Sequence, residues 1–160
     1  MQIDIKLDTT KLNKRLKKLK YDMPRAKKMA LGKAAEFAKA GIKQRTQEKS
    51  LDAFMKPLAP YSEAYIKFKG GKYTGKVDLT FTSQMWSSLT TKSDANQARL
   101  FFLGEPAKYA AFQHFGMRRG GKTSKERKFF MLSKNQTSGI VQMFSNEIRK
   151  RFQLWVKEKI

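Results

Sequence analysis

The stretch Leu89-Thr-Thr-Lys-Ser-Asp-Ala-Asn-Gln-Ala-Arg-Leu-Phe-Phe-Leu103 sets two strand-like runs on either side of the polar Lys92–Gln97 and reads as a β-hairpin. It stands in a chain whose other strong patterns are helical. After it, Pro106 opens a small-residue helix, Ala107–Phe115, closed by Gly116. A cationic loop follows from Arg118 to Lys128, with six basic residues against the single acid Glu126, and Phe129-Phe-Met-Leu132 is expected to form a last strand. Ile140, Phe144, Ile148, Phe152 and Trp155 then recur at helical spacing with Val141 and Val156 beside them, which predicts a core-facing stripe.

On the N-terminal side of the hairpin, Val77–Phe81 suits a short strand, and Thr82 or Ser83 suits the cap of a helical turn bearing Met85, Trp86 and Leu89. From Leu51 to Gly75, Pro57, Pro60, Gly70, Gly71 and Gly75 are loop chemistry around a short helical piece near Ser62–Lys69. Further upstream, Leu12, Leu16 and Leu19 have helical spacing behind a cap at Thr9 or Thr10. Asp22–Pro24 breaks that pattern. A second helix is expected from Pro24, with Met29, Ala30, Ala34, Phe37, Ala38 and Ile42 on its apolar face. The opening Met1–Asp8 alternates Ile3, Ile5 and Leu7 with Asp4 and Lys6, the pattern of a strand. Residues 1–50, read as a strand plus helices, hold 15 basic and 5 acidic side chains.

The whole chain of 160 residues carries 35 Lys and Arg against 13 Asp and Glu, a formal charge of +22, and reads as one basic, soluble domain over residues 1–160. A chain this long buries about 68–70% of its unfolded surface, and twelve Phe, two Trp and eight Met supply the bulk for a core. No Cys and one His exclude a disulfide framework, a cysteine nucleophile and a zinc site of Cys and His ligands. No apolar run approaches the roughly 18 residues of a membrane span, and no signal segment opens the chain, so no membrane partner is expected and the chain is expected to act inside a cell. Surplus charge of this size attracts nucleic acid or an acidic protein, although surface lysines also serve solubility alone.

Gly116-Met-Arg-Arg-Gly-Gly-Lys-Thr123 satisfies the P-loop formula letter for letter. A P-loop needs a buried strand before the glycines and a helix after them, and here the order reads helix, loop, strand, so the match is expected to be fortuitous. His114, between Gln113 and Phe115 on a helix, reads as a hydrogen-bonded structural residue, with no nucleophile elbow for it to serve. The acids are scattered singly. The expectation is therefore no enzyme, no metal and no cofactor. Two segments suit polyanions: the basic-aromatic run Tyr65, Lys67, Phe68, Lys69, Lys72, Tyr73, Lys76, and the loop of Arg118, Arg119, Lys122, Lys125, Arg127 and Lys128. From these, Lys67, Lys69, Lys72 and the six loop cations are the candidate contacts to a partner or to nucleic acid. The loop is expected to be exposed, with Phe112, Phe115, Phe129 and Phe130 anchoring its ends. Neither segment matches a sequence-reading module, so any nucleic-acid binding is expected to be nonspecific.

Four ordered segments resemble the virion morphogenesis or tail-completion proteins of tailed bacteriophages, a neck-region family. They are Pro57-Leu-Ala-Pro-Tyr61 with Tyr65-Ile-Lys-Phe-Lys69, Leu79-Thr-Phe-Thr-Ser-Gln-Met-Trp-Ser-Ser-Leu89, Tyr109-Ala-Ala-Phe-Gln-His-Phe-Gly116, and Arg127-Lys-Phe-Phe-Met-Leu-Ser133. The likeness covers roughly residues 50–150 and departs at Ser83, where the family has glycine. It implies an α+β fold, and with the helical spacing read above the expectation is long N-terminal helices and a C-terminal helix packed on a small, mainly antiparallel sheet. It also implies a structural role in tail completion and head–tail joining, and a homo-oligomeric ring of six beside connector, neck or tail-tube proteins. The implied location is the virion neck, with assembly in the host cytoplasm and possible nonspecific contact with phage DNA. The alternative is a stand-alone, sequence-nonspecific nucleic-acid-binding protein.

Overall fold

A computed structural model describes residues 10–80, 83–116, 118–119, 122–123 and 125–157. The strand expected over residues 1–8 and the caps Thr9 and Thr82 fall outside them. The architecture is α+β. Helix α1 runs Thr10–Lys43 and continues into a π-helical turn, Gln44–Glu48; short helices α2 (Glu63–Lys69) and α3 (Gln84–Ser87) precede the hairpin β1 (Leu89–Ser93) and β2 (Ala98–Phe102). Helix α4 (Pro106–Phe115), a second, two-residue hairpin of β3 (Arg118–Arg119) and β4 (Lys122–Thr123), and helix α5 (Lys134–Lys157) complete the order.

The hairpin is antiparallel in the expected place, with Leu89 opposite Phe102 and Lys92 opposite Arg99. Its turn is closed by Asp94, whose carboxylate accepts the amides of Asn96 (2.7 Å) and Gln97 (2.9 Å) and is held below the usual carboxylate range by those bonds. Expected helix boundaries hold for α2, where the Ser62 hydroxyl accepts the Tyr65 amide, and for α4, which has Pro106 at its start and Gly116 at φ 74° at its end.

Pro24 does not divide the first helical region: α1 is one continuous helix through it. Proline removes one intrahelical hydrogen bond and crowds the preceding turn, which ordinarily ends or kinks a helix. Here apolar residues on both sides of Pro24, Leu19 and Met23 before it and Ala26 and Met29 after it, share a groove with Ile148, Phe152 and Trp155 of α5. Packing on both sides of the proline favours the unbroken helix. Helix α5 runs back along α1, with Gly139 under the Phe37 ring, Gly41 against Gln136, and the Lys33 ammonium 2.8 Å from the Glu147 carboxylate.

The core lies at the other end of α1. Ala30, Ala34, Ala38 and Ile42 are buried as expected, the small alanine side chains letting the β1–β2 hairpin approach, and Ser93 reaches the Lys28 carbonyl. Beyond Ile42 the core gathers Leu58, Tyr61, Val77, Leu79, Trp86, Leu89 and Ala110 around Phe129. Trp86 and Phe102 meet the Phe129 ring with centroids 5.6 and 6.3 Å away, in the edge-on and tilted geometries aromatic quadrupoles favour.

Two expected strands are not strands. Val77–Thr80 joins no strand, because Leu79 sits at φ 53°, outside the extended region, and side chains take the backbone groups: the Leu79 amide donates to the Tyr61 hydroxyl at 2.8 Å and Trp86 Nε1 to the Asp78 carbonyl. Phe81 lies outside the described residues. Phe129–Leu132 likewise has side chains in place of a neighbouring strand. Arg45 donates to the Phe129 and Met131 carbonyls at 2.6 and 2.8 Å, and the Phe130 amide donates to His114. The stripe on α5 is also less covered than its spacing predicts: Ile140, Phe144, Ile148 and Trp155 are half-buried and Phe152 is exposed.

Candidate functional site

Arg127 opens the fourth of the resembling segments, and its guanidinium reaches into two others. Nε donates to the Ala59 carbonyl at 2.8 Å, Nη2 to the Pro60 carbonyl at 3.0 Å and Nη1 to Gln113 Oε1 at 2.8 Å. Its carbon lies 5.3 Å from the centre of the Tyr61 ring, and the Lys69 ammonium lies 5.2 Å from the same centre. Lys69 Nζ is 2.7 Å from Asp78 Oδ1, which also accepts the Tyr61 hydroxyl and the Thr80 amide. Burial first, and the Asp78 carboxylate second, hold the Tyr61 phenol well above its usual range. Burial likewise lowers Arg127 from its ordinary value. The cluster is internally satisfied, a joint more than a reactive centre.

This alters the list of cations available to a partner. Arg127 and Lys69, both expected to be contacts, are 8% and 3% exposed and their charges are used inside the fold. The expectation that all six loop cations avoid the interior fails at Arg127, because carbonyls, an amide oxygen and an aromatic face replace its water. Lys67, Lys72, Lys125 and Lys128 are exposed, Lys128 pairing with Glu126 at 2.9 Å. Arg118, Arg119 and Lys122 lie on the small β3–β4 hairpin. That hairpin also decides the geometry of the P-loop match, since Lys122 and Thr123 occupy a strand where phosphate binding requires a helix start.

Beside the Arg127 joint, α2, α3 and α4 enclose a cleft of about 370 Å³ lined by Tyr65, Phe68, Met85, Tyr109 and Gln113, among others. Helix α4 turns Ala107, Ala110 and His114 toward the fold and leaves Tyr109, Phe112 and Phe115 outward, 64%, 42% and 74% exposed, with Phe68 of α2 at 68%. Phe112 and Phe115 were expected to anchor the cationic loop. They instead form a bare aromatic edge leading into it, while Phe129 and Phe130 do the anchoring. His114 is structural as expected. Its Nδ1 accepts the Phe130 amide at 3.2 Å, its ring meets Phe129 edge-on, and burial lowers its pKa.

Arg45 was not singled out by sequence and is the second internal joint, binding Phe129, Met131 and Gln136 so that the end of α1 is tied to the start of α5. A signal existed: Arg45 falls three residues after Ile42 and seven after Ala38, on the buried stripe. Lys69 follows Tyr65 by four and Ile66 by three in the same way. Among the described residues no three His, Asp or Glu gather as a metal site, and no helix is long and apolar enough to cross a membrane. Comparison of the chain with protein-family models, with curated proteins and with solved structures found no match.

Proposed function

We propose that the chain is a structural protein of the neck end of a tailed-phage virion, acting in tail completion and head–tail joining as one subunit of a ring. One observation carries this reading. The four segments that resemble the family are in contact, with Arg127 of the last bonded to the Ala59 and Pro60 carbonyls of the first and to Gln113 of the third. Tyr61 of the first segment holds the Leu79 amide of the second. The likeness thus falls on one packed unit of the fold, the second segment joining it through Tyr61, whose ring Arg127 also faces. The departure at Ser83 fits too, since Ser83 has φ 62°, a left-handed backbone that suits the family's glycine.

The joining surface in this reading is the aromatic edge of Tyr109, Phe112 and Phe115, continued by the cationic β3–β4 hairpin. Exposed apolar clusters of this kind mark interaction sites, and a neighbouring subunit would cover them. Electron-microscopy class averages and native mass spectrometry of the purified chain are expected to reveal a closed ring of six. Phe112→Ser with Phe115→Ser is expected to leave a folded monomer. A chain monomeric at all concentrations, or rings indifferent to that double change, overturns the assignment.

Nucleic-acid binding is the second reading, favoured by the exposed Lys14, Lys17, Lys18, Lys20, Lys27 and Lys28 along α1. It predicts monomers that bind unrelated duplexes alike, with affinity falling steeply as salt rises.

A further inference from the structure

The α1–α5 pair is unusual in combining a strongly cationic surface with an open apolar seam. Helix α1 holds twelve Lys and Arg against two acids and α5 five against one, so the pair carries fourteen of the chain's twenty-two net charges. Between the helices runs a groove. Its wider part, about 970 Å³, has Met29, Phe37 and Met143 along it. Its narrower part, about 330 Å³, continues past Met23, Phe152 and Trp155. The two share Arg25 and Met29, so they form one channel from Phe37 to Leu19, about 27 Å at 1.5 Å per helical residue. Met29, Phe37 and Phe152 are each about two-fifths exposed or more, leaving the channel open to solvent.

Charge lines the rim. Lys18, Arg25, Lys28, Lys33 and Arg151 stand along it, with Asp22, Glu36 and Glu147 as the acids. The Lys33–Glu147 pair engages one cation and one acid of the rim, and Glu36 accepts the Thr91 hydroxyl and faces Lys39, which leaves Lys18, Arg25, Lys28 and Arg151 against Asp22. From this geometry we infer that the α1–α5 channel is a docking groove for an acidic amphipathic helix of a partner protein. The occupant lays apolar residues at i, i+3 and i+4 onto the methionine and aromatic floor and directs its carboxylates at the cationic rim. Five turns of helix match the channel's length. Methionine suits such a floor because its flexible thioether adapts to the side chains laid on it. A second copy of the arm is the wrong occupant, since it brings the same fourteen-charge excess against itself. Nucleic acid is wrong as well, because a phosphate backbone leaves the thioether and phenyl floor uncovered. The inference does not rest on the phage reading.

The test uses the full chain and a synthetic 21-residue helix with leucines on one face and glutamates on the other. Saturable one-to-one binding is expected, with the methyl NMR signals of Met23, Met29 and Met143 moving while those of Met55 and Met85 stay in place. The same peptide with lysine for glutamate should bind at least tenfold more weakly. Met29→Asp combined with Phe152→Asp should weaken the acidic helix at least tenfold while circular dichroism keeps the helical signal and thermal unfolding stays cooperative, its midpoint lowered by a few degrees. Equal binding of the lysine peptide, or movement of the distant methionines in place of the groove ones, overturns the inference. So does movement of the groove methionines on adding a DNA duplex, or on raising the concentration of the chain alone.

Discussion

Around Phe129, three cations are taken out of water: Arg45, Lys69 and Arg127, each held by carbonyls, carboxylate or amide oxygen. Along the α1–α5 pair the opposite holds, and Met29, Phe37, Val141, Phe152 and Leu154 remain substantially exposed. The difference follows from how many directions supply neighbours. At the core end, several short segments converge, so a long cationic side chain finds acceptors on more than one of them, and the Lys69 and Arg127 cations lie against the Tyr61 ring. Two antiparallel helices offer each other one contact line, while an apolar stripe of helical spacing spans 100° or more, so its edges stay bare. The arm has more apolar surface than the chain can cover by itself. The core end leaves apolar side chains exposed too, at Phe54, Met55, Phe68, Leu103, Met131 and Leu132 besides the aromatic edge of α4, but they are scattered over separate short segments and do not line one seam.

The largest contrast is expected from truncating a phenylalanine in each region. Phe129 is fully buried, so Phe129→Ala removes the ring and leaves a cavity, at a cost of about 3–5 kcal/mol. Phe152→Ala, on the open seam, should cost about 1 kcal/mol or less, because much of that ring is already in water. Urea unfolding measures both, and equal losses would erase the distinction between the regions. A smaller contrast concerns charge. Arg45→Met deprives the Phe129 and Met131 carbonyls of a charged donor and should cost about 1.5–3 kcal/mol. Lys28→Met, exposed on the arm, should stay within about 0.5 kcal/mol.

Mild acid offers a third contrast, since the chain's single histidine belongs to the core end. Burial holds His114 below the ordinary value of about 6.5, and Nδ1 must be unprotonated to accept the Phe130 amide. Below 6.5 the unfolded chain therefore binds the proton more readily than the folded one. His114 contributes stability that is complete above that value and declines as pH falls toward its lower folded value. Denaturation midpoints should drop between pH 7.5 and 5.5, and His114→Gln, which keeps an acceptor and does not titrate, should flatten the profile. The arm holds no histidine among its residues. Its Glu147, lowered by the bond from Lys33, titrates only in stronger acid.

These contrasts also explain what was legible in the sequence. Alternation and helical spacing located the β1–β2 hairpin, α2, α4 and α5, because those elements are made by local pattern. The same spacing reads the partly exposed α5 residues as core, since periodicity says which residues share a face and not whether a neighbour arrives to cover it, and the apolar character of Phe112 and Phe115 says no more about whether they are anchored. Pro24 misled for a related reason: the packing that keeps α1 intact comes from α5, more than a hundred residues away. Val77–Thr80 and Phe129–Leu132 have strand composition, but their backbone partners are side chains of Tyr61, Arg45 and His114, contacts that no local rule encodes. Of the nine cations named as contacts, Lys69 and Arg127 are buried because each lies on the inward face of its segment, which charge alone does not reveal.

The smallest predicted effect concerns backbone strain, which is also divided between the regions. Among the described residues, the non-glycine positions with positive φ are Ser50, Met55, Leu79 and Ser83, all within the segments that converge on the core. A left-handed conformation costs an L-residue roughly 1–2 kcal/mol. Ser83 recovers none of this through its hydroxyl, which makes no capping bond to α3. Glycine adopts the conformation freely but carries an entropic cost of roughly 0.5–1 kcal/mol on folding. The balance at Ser83→Gly is a gain of about 0.5 kcal/mol, and the turn into α3 keeps its shape because only a solvent-exposed side chain is lost. On the arm the sign reverses: Lys27→Gly, in regular helix, removes no strain and should cost about 1 kcal/mol. Paired urea titrations of the two variants read this difference directly, and a loss of stability at Ser83→Gly would mean that the serine makes a contact worth more than the strain it bears.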